Sequence, residues 1–87
     1  GVGAMQILYF AWLKTHTGTG SEQVEPPAAV TDVAGLLDWL AARSDAHATA
    51  LADRQAVRVA VNQEYARPSD PVKPGDEVAL FPPVTGG

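Results

Sequence analysis

The chain has 87 residues, 46% hydrophobic and 18% charged, which describes one small globular domain and not a disordered tail. Ten acidic residues outweigh six basic ones for a net charge of −4, and the basic ones are scattered at Lys14, Arg43, Arg54, Arg58, Arg67 and Lys73. Without a concentrated positive face to displace phosphate counterions, nucleic-acid binding is not expected, and the absence of cysteine excludes a disulfide framework, a thiolate zinc site and a cysteine nucleophile.

Residues 1–4 read as an expression scar, with Met5 as the natural start and the domain proper over 5–81. The longest apolar run, Ile7-Leu8-Tyr9-Phe10-Ala11-Trp12-Leu13, is far short of the roughly 20 residues that span a bilayer. It also lacks a basic leader and a small-residue cleavage site, so a cytoplasmic chain without a membrane partner is expected. Its unbroken apolar character predicts a central strand over residues 7–13, covered on both faces. Thr15-His16-Thr17-Gly18-Thr19-Gly20-Ser21 then reads as a hairpin connection, and residues 21–25 as an edge strand stopped by Pro26-Pro27.

Thr31-Asp32 supplies a capping hydroxyl and an early carboxylate for a helix. Val33, Leu36, Leu37 and Leu40 follow at helical spacing and form one apolar stripe. Gly35 inside that helix costs up to about 1 kcal/mol in propensity, and close packing is its expected reason. Ser44-Asp45 caps a shorter helix through Leu51. Val57, Val59 and Val61 alternate as one face of a strand, Asn62-Gln63-Glu64 makes a tight turn, and Tyr65-Ala66 returns briefly. Residues 67–76, with Pro68, Pro71, Pro74 and Gly75, form a loop before a last strand at residues 77–81. This order predicts an α+β roll: one mixed sheet of four or five strands, one main helix across it, and the first and last strands as parallel central neighbours.

Conventional catalytic signals are poor. His16 and His47 lie in different segments and read as solvated surface residues, so no metal site is expected. Thr17-Gly18-Thr19-Gly20 lacks the remaining elements of a phosphate loop. Asp76-Glu77 reads as turn and strand-entry chemistry, and Met5, Trp12 and Trp39 as packing residues. The C-terminus is different. Phe81-Pro82-Pro83-Val84-Thr85-Gly86-Gly87 ends a strand, stiffens, and finishes on two glycines. Proline cannot continue the sheet, so Pro82-Pro83 should project the tail away from the globule. Without Cβ atoms, Gly86 and Gly87 can pass through a narrow channel and leave the terminal carboxylate unhindered. Such a tether is a substrate for another enzyme.

Val59-Ala60-Val61-Asn62-Gln63 and the ending Gly75-Asp76-Glu77-Val78-Ala79-Leu80-Phe81-Pro82-Pro83-Val84-Thr85-Gly86-Gly87 resemble the small, sulfur-carrier subunits of molybdopterin synthases. Phe10-Ala11, Lys14 and Thr31 fit the same pattern, and the resemblance runs from Met5 to Gly87. It implies a ubiquitin-like β-grasp fold and a chain that is not an enzyme by itself. An activating enzyme would use ATP to make the acyl-adenylate of Gly87, and a sulfur donor would convert that to a thiocarboxylate. The tail, Pro82, Pro83, Val84, Thr85 and Gly86, would then enter the active site of a large synthase subunit. There sulfur passes to cyclic pyranopterin monophosphate, in a heterotetramer of two small and two large subunits. Phe81 and Phe10 would dock the partners, with Lys14 at the interface, and no cofactor would be bound tightly. The alternatives are a sulfur carrier for thiamine, cysteine or transfer-RNA thiolation, a protein modifier, and an inert interaction module of the same fold.

Overall fold

In the computed structural model, which describes residues 3–83, the first apolar run does not stay extended throughout. Strand β1 is Met5–Tyr9, and Ala11, at φ 55°, turns the chain into helix α1, Trp12–Thr17. The expectation of one strand over residues 7–13 is therefore corrected. The neighbouring strand offers its last ladder bond at Leu80, whose carbonyl accepts from the Phe10 N–H at 3.1 Å. Beyond that point an extended backbone would have no partner, whereas a helical turn satisfies its own groups. The turn also brings Leu13 fully into the core. The Thr-Gly cluster is accordingly the end of a helix and not a hairpin loop: Thr17 Oγ1 donates to the Leu13 carbonyl at 3.0 Å. Gly18, in the left-handed region at φ 81°, closes α1 with its N–H on the Lys14 carbonyl.

Strands β2 (Ser21–Val24), β3 (Arg58–Val61), β4 (Glu64–Ala66) and β5 (Glu77–Phe81) join β1 in one sheet of order β2-β1-β5-β3-β4. β1 and β5 are parallel and central, and the other pairings are antiparallel, as the element order implied. The register lines up Met5 with Val24, Ile7 with Val78, Tyr9 with Leu80, and Leu80 with Val59, all on the buried face. Helix α2 (Val33–Ala41) lays Val33, Leu36, Leu37 and Leu40 on that face, and α3 (Asp45–Ala50) adds Ala50 beside Leu51. Each such side chain contributes about 1.5–3 kcal/mol of burial. The fold takes in Ala4, which is buried and whose carbonyl accepts from the Gly75 N–H at 2.8 Å.

The cap of α2 is Asp32 and not Thr31: its carboxylate accepts from the Gly35 N–H at 2.8 Å. A Cβ at Gly35 would stand 3.1 Å from that same oxygen, so the close approach required of Gly35 is to its own cap. The proline-rich loop is tied to the same helix end. Asp70 and Pro68 carbonyls accept from the Val33 and Ala34 N–H groups at 3.0 and 2.9 Å, and Val72 N–H returns to the Thr31 carbonyl. The Val33, Ala34 and Gly35 N–H groups, which the helix start leaves free, thus all find partners.

The loop ends on Asp76, 4% exposed, whose carboxylate accepts from the Lys73 N–H at 2.9 Å, the Asn62 amide at 2.9 Å and Lys73 Nζ at 3.2 Å. Asn62 in turn accepts from the Glu77 N–H at 3.0 Å. These bonds hold the β3–β4 turn, where Asn62 and Gln63 both take positive φ, 52° and 71°. Burial pushes the Asp76 carboxyl up, but the hydrogen bonds from Asn62 and Lys73 outweigh it and hold it below the usual range. Its stabilisation is complete above the unfolded carboxylate value, about 4, and disappears as pH falls through the lower folded value. Asp76→Ala should cost about 1.5–3 kcal/mol, because three hydrogen bonds lose their charged acceptor. Melting at neutral pH and through an acid series should show a lowered midpoint and a shallower acid slope; a wild-type acid profile would refute the assignment.

Candidate functional site at the tail root and the open sheet face

The tail departs from the central strand. Phe81 ends β5 half-buried, Pro82 is half-buried and Pro83 exposed, and neither proline can donate to a further ladder bond. Val84, Thr85, Gly86 and Gly87 lie outside the described residues, as does any geometry of the terminal carboxylate. The root is therefore the part of the sequence-predicted site that the fold positions.

Alternation along β5 sends Val78 and Leu80 inward and leaves Glu77, Ala79 and Phe81 on the other face of the sheet. Register carries that face across four strands, from Leu8 to Ala79, Ala60 and Tyr65. Among the described residues no helix covers these positions as α2 covers the core side. Phe10, 49% exposed, stands one step beyond the Tyr9–Leu80 pair and so beside Phe81's position on the adjacent strand. Tyr65, 79% exposed, places its ring 5.9 Å from that of Phe81. Two alanines flanked by Leu8 and Phe10 on one side and by Tyr65 and Phe81 on the other make a shallow apolar seat at the base of the tail. Exposed aromatic residues gathered on one face make it the candidate interaction surface. The fold thus brings Phe10 and Phe81 together. It puts Lys14 on α1, exposed, with its stem along Gly20, where a Cβ would stand 3.3 Å from Lys14 Cε.

Leu8, Ala60, Tyr65 and Ala79 were not singled out by sequence reasoning. Leu8 alternates with Phe10, a signal hidden by the unbroken apolar run. The other three belong to the face only through cross-strand register.

His47 corrects the sequence reading. Its side chain is only 12% exposed, with Nε2 2.7 Å from Glu22 Oε2 and Nδ1 2.7 Å from Ser44 Oγ. The Tyr9 hydroxyl donates to the same Glu22 oxygen at 2.6 Å, and Arg43 approaches Oε1 at 3.7 Å. Burial pushes the Glu22 carboxyl up, yet the Tyr9 and His47 hydrogen bonds outweigh it and hold it low. Burial and the adjacent Glu22 raise the Tyr9 hydroxyl well above its ordinary value. With both ring nitrogens of His47 engaged, this cluster clamps α3 to β1 and β2 and presents no free base. His16 is exposed and lies edge-on to Trp12 at 6.1 Å. Among the described residues no three His, Asp or Glu side chains converge as a metal site would require. No helix there is long and apolar enough to cross a membrane.

A mixed sheet of this order, with its main helix across one face and a glycine-ended chain leaving the central strand, defines a ubiquitin-like β-grasp protein. The chain belongs to the ThiS family, whose model matches residues 7–87. It is 41% identical over 83 residues to the molybdopterin synthase sulfur carrier subunit of Escherichia coli (strain K12), covering 95% of this chain and 99% of that protein. The crystal structure of SAMP1, a small archaeal modifier protein, from Haloferax volcanii superposes with TM-score 0.74 at 33% identity, covering 98% of this chain and all of that one. A chain of the protein–protein complex of subunits 1 and 2 of the molybdopterin-converting factor from Helicobacter pylori 26695 shares the fold, with TM-score 0.63. Its identity is 21%, over 97% of this chain and 99% of that one.

If Phe10 serves the surface and not the core, Phe10→Ala should move stability by no more than about 0.5 kcal/mol. Leu80→Ala, from the opposite face of the same sheet, should cost about 2–5 kcal/mol. Parallel thermal melts compare them, and a collapse of the Phe10→Ala midpoint would return that residue to the core.

Proposed function

We propose that this chain is the sulfur carrier of a molybdopterin synthase, with Gly87 as the carrying residue. The observation that carries the reading is the apolar seat of Phe10, Leu8, Phe81 and Tyr65 at the root of a Gly86-Gly87 tail. Near-full-length similarity to the Escherichia coli sulfur carrier subunit supports it. A carboxylate resists attack at carbon until one oxygen joins a leaving group. An activating enzyme therefore joins the Gly87 carboxylate to the α-phosphate of ATP, with pyrophosphate leaving. A sulfur donor then displaces AMP to give the thiocarboxylate. ATP belongs to that enzyme, and this chain holds no cofactor of its own. The large synthase subunit receives Pro82, Pro83, Val84, Thr85 and Gly86 in its active site, where sulfur passes to cyclic pyranopterin monophosphate. The seat docks both partners in turn, in the cytoplasm, with Lys14 of α1 as a further interface residue. Similarity to SAMP1 favours one second reading, in which Gly87 becomes attached to a protein amine.

Incubation with the activating enzyme, ATP and a sulfur donor should change the intact mass by one oxygen-to-sulfur exchange, and deletion of Gly87 should abolish it. Thiolation of the deletion variant would remove Gly87 from the role. A protein adduct in place of the exchange would favour the modifier reading.

Gly86→Val keeps the carboxylate and its charge but adds a branched side chain to the tether. Misplacement of a reacting group by about 1 Å can cost 10²-fold, so product formation with the large subunit should fall by roughly that factor. Phe81→Ala should instead weaken binding of the large subunit by about 2 kcal/mol or more, as loss of an aromatic anchor does. Wild-type turnover from Gly86→Val would overturn the slim-tether argument, and wild-type affinity in Phe81→Ala the docking argument.

A further inference from the structure

A second concavity lies round the edge of the sheet from the aromatic seat. It is a groove of about 500 Å³ between α2 and the β3–β4 hairpin. Val33, Leu37, Val57 and Val59 line it, and Arg54, Arg58 and Arg67 are its charged lining residues. No carboxylate lines it, in a chain that carries ten acidic residues and only six basic ones. Half of the molecule's basic side chains therefore surround its apolar groove.

The three guanidinium groups are only lightly committed. Arg54 meets Asp38 at 2.9 Å while its Nε–H donates to the Leu51 carbonyl at 2.9 Å, and Arg67 meets Asp70 at 3.2 Å, both ion pairs with at least one well-exposed partner. Pairs of this kind are weak and exchange readily for a better acceptor. Arg58 donates to the Gln55 carbonyl at 2.8 Å and has no carboxylate partner among the described residues. Arginine offers a planar fork suited to carboxylates, and its desolvation is less costly than that of lysine. Apolar floors bordered by arginine and tyrosine are the composition of protein-binding surfaces.

The groove is also continuous with the seat. Arg58 is paired in register with Phe81, and Tyr65 lines the groove while its ring rests against Phe81. A protein docked on the open face can extend a segment over the short β4 edge without leaving the surface. We propose that this groove is a second docking site, taking an acidic segment of a partner protein that places apolar side chains on the valine floor and carboxylates on Arg54, Arg58 and Arg67. This placement rests on the docking role proposed for the open face, but binding in the groove can be measured without the larger partner.

The probe is a capped peptide, Glu-Leu-Asp-Phe-Glu-Leu-Asp, titrated into the full isotope-labelled chain and followed by amide chemical shifts. Expected are shifts at Ala34, Leu37, Val57 and Ala66, with affinity weakened at least about fivefold when salt rises from about 50 to 500 mM. Arg67→Gln and, independently, Arg54→Gln should weaken it by at least the same factor while their amide spectra remain those of the folded chain. A peptide with lysine in place of the carboxylates, and one with serine in place of the apolar residues, should not bind. Phe10→Ala should leave the titration unchanged even where it weakens the large subunit, which separates failure of the groove from failure of the seat. Absence of binding, equal binding of the lysine peptide, or loss of binding in Phe10→Ala would overturn the proposal. So would the same amides shifting with protein concentration alone, which means a second copy occupies the groove, or tighter binding of decanoate than of the peptide, which means a small anionic amphiphile.

Discussion

The parallel pairing of β1 with β5 is the constraint from which the rest follows. It puts the first and last strands side by side in the middle of one sheet, with Ile7 against Val78 and Tyr9 against Leu80. The chain between them adds β2 on one side and β3 and β4 on the other, and α2 is the apolar element that makes the crossing on the core side. Because β5 is flanked by β1 and β3, its end is held from both sides, and the tail starts from a rigid point.

Two polar anchors keep that arrangement in register. Asp76 joins the loop before β5 to the β3–β4 turn, so the entry of the central strand and the adjacent hairpin are set by one carboxylate. Glu22 joins β2 to Tyr9 and to His47 of α3 and thereby closes the opposite edge. Both carboxylates are low because their hydrogen-bond donors outweigh burial, and both lose that advantage on the acid side. Each ties elements that are distant in the chain, which is a structural role.

The two faces of the sheet divide the work. One is closed by α2 and α3 over a valine- and leucine-rich core; the other keeps small residues at its centre and aromatic ones at its margins. Ala60 and Ala79 are what make the second face shallow, so a partner can approach the strands closely. Substituting bulk there would fill the seat without touching the core. The arginine-lined groove lies at the seam between the faces, where β4 is too short to cover the edge of β3.

Much of this was legible in residue order. The stripe Val33, Leu36, Leu37, Leu40 announces its helix, Ser44 its second helix, and residues 77–81 their strand, because helical and strand periods are local properties. The Gly86-Gly87 ending carries its steric meaning in composition alone. Other features depended on partners distant in the chain. The run at residues 7–13 is apolar throughout, and only the end of β5's ladder at Leu80 decides that it bends at Ala11. His47 reads as a surface residue until Glu22, 25 positions away, comes within 2.7 Å of it. The proline-rich loop looks slack until the free N–H groups of α2 give its carbonyls a purpose. Local periodicity thus determined most of the elements; register and hydrogen-bond closure, which need the folded neighbours, decided where β1 ends and which side chains share a face.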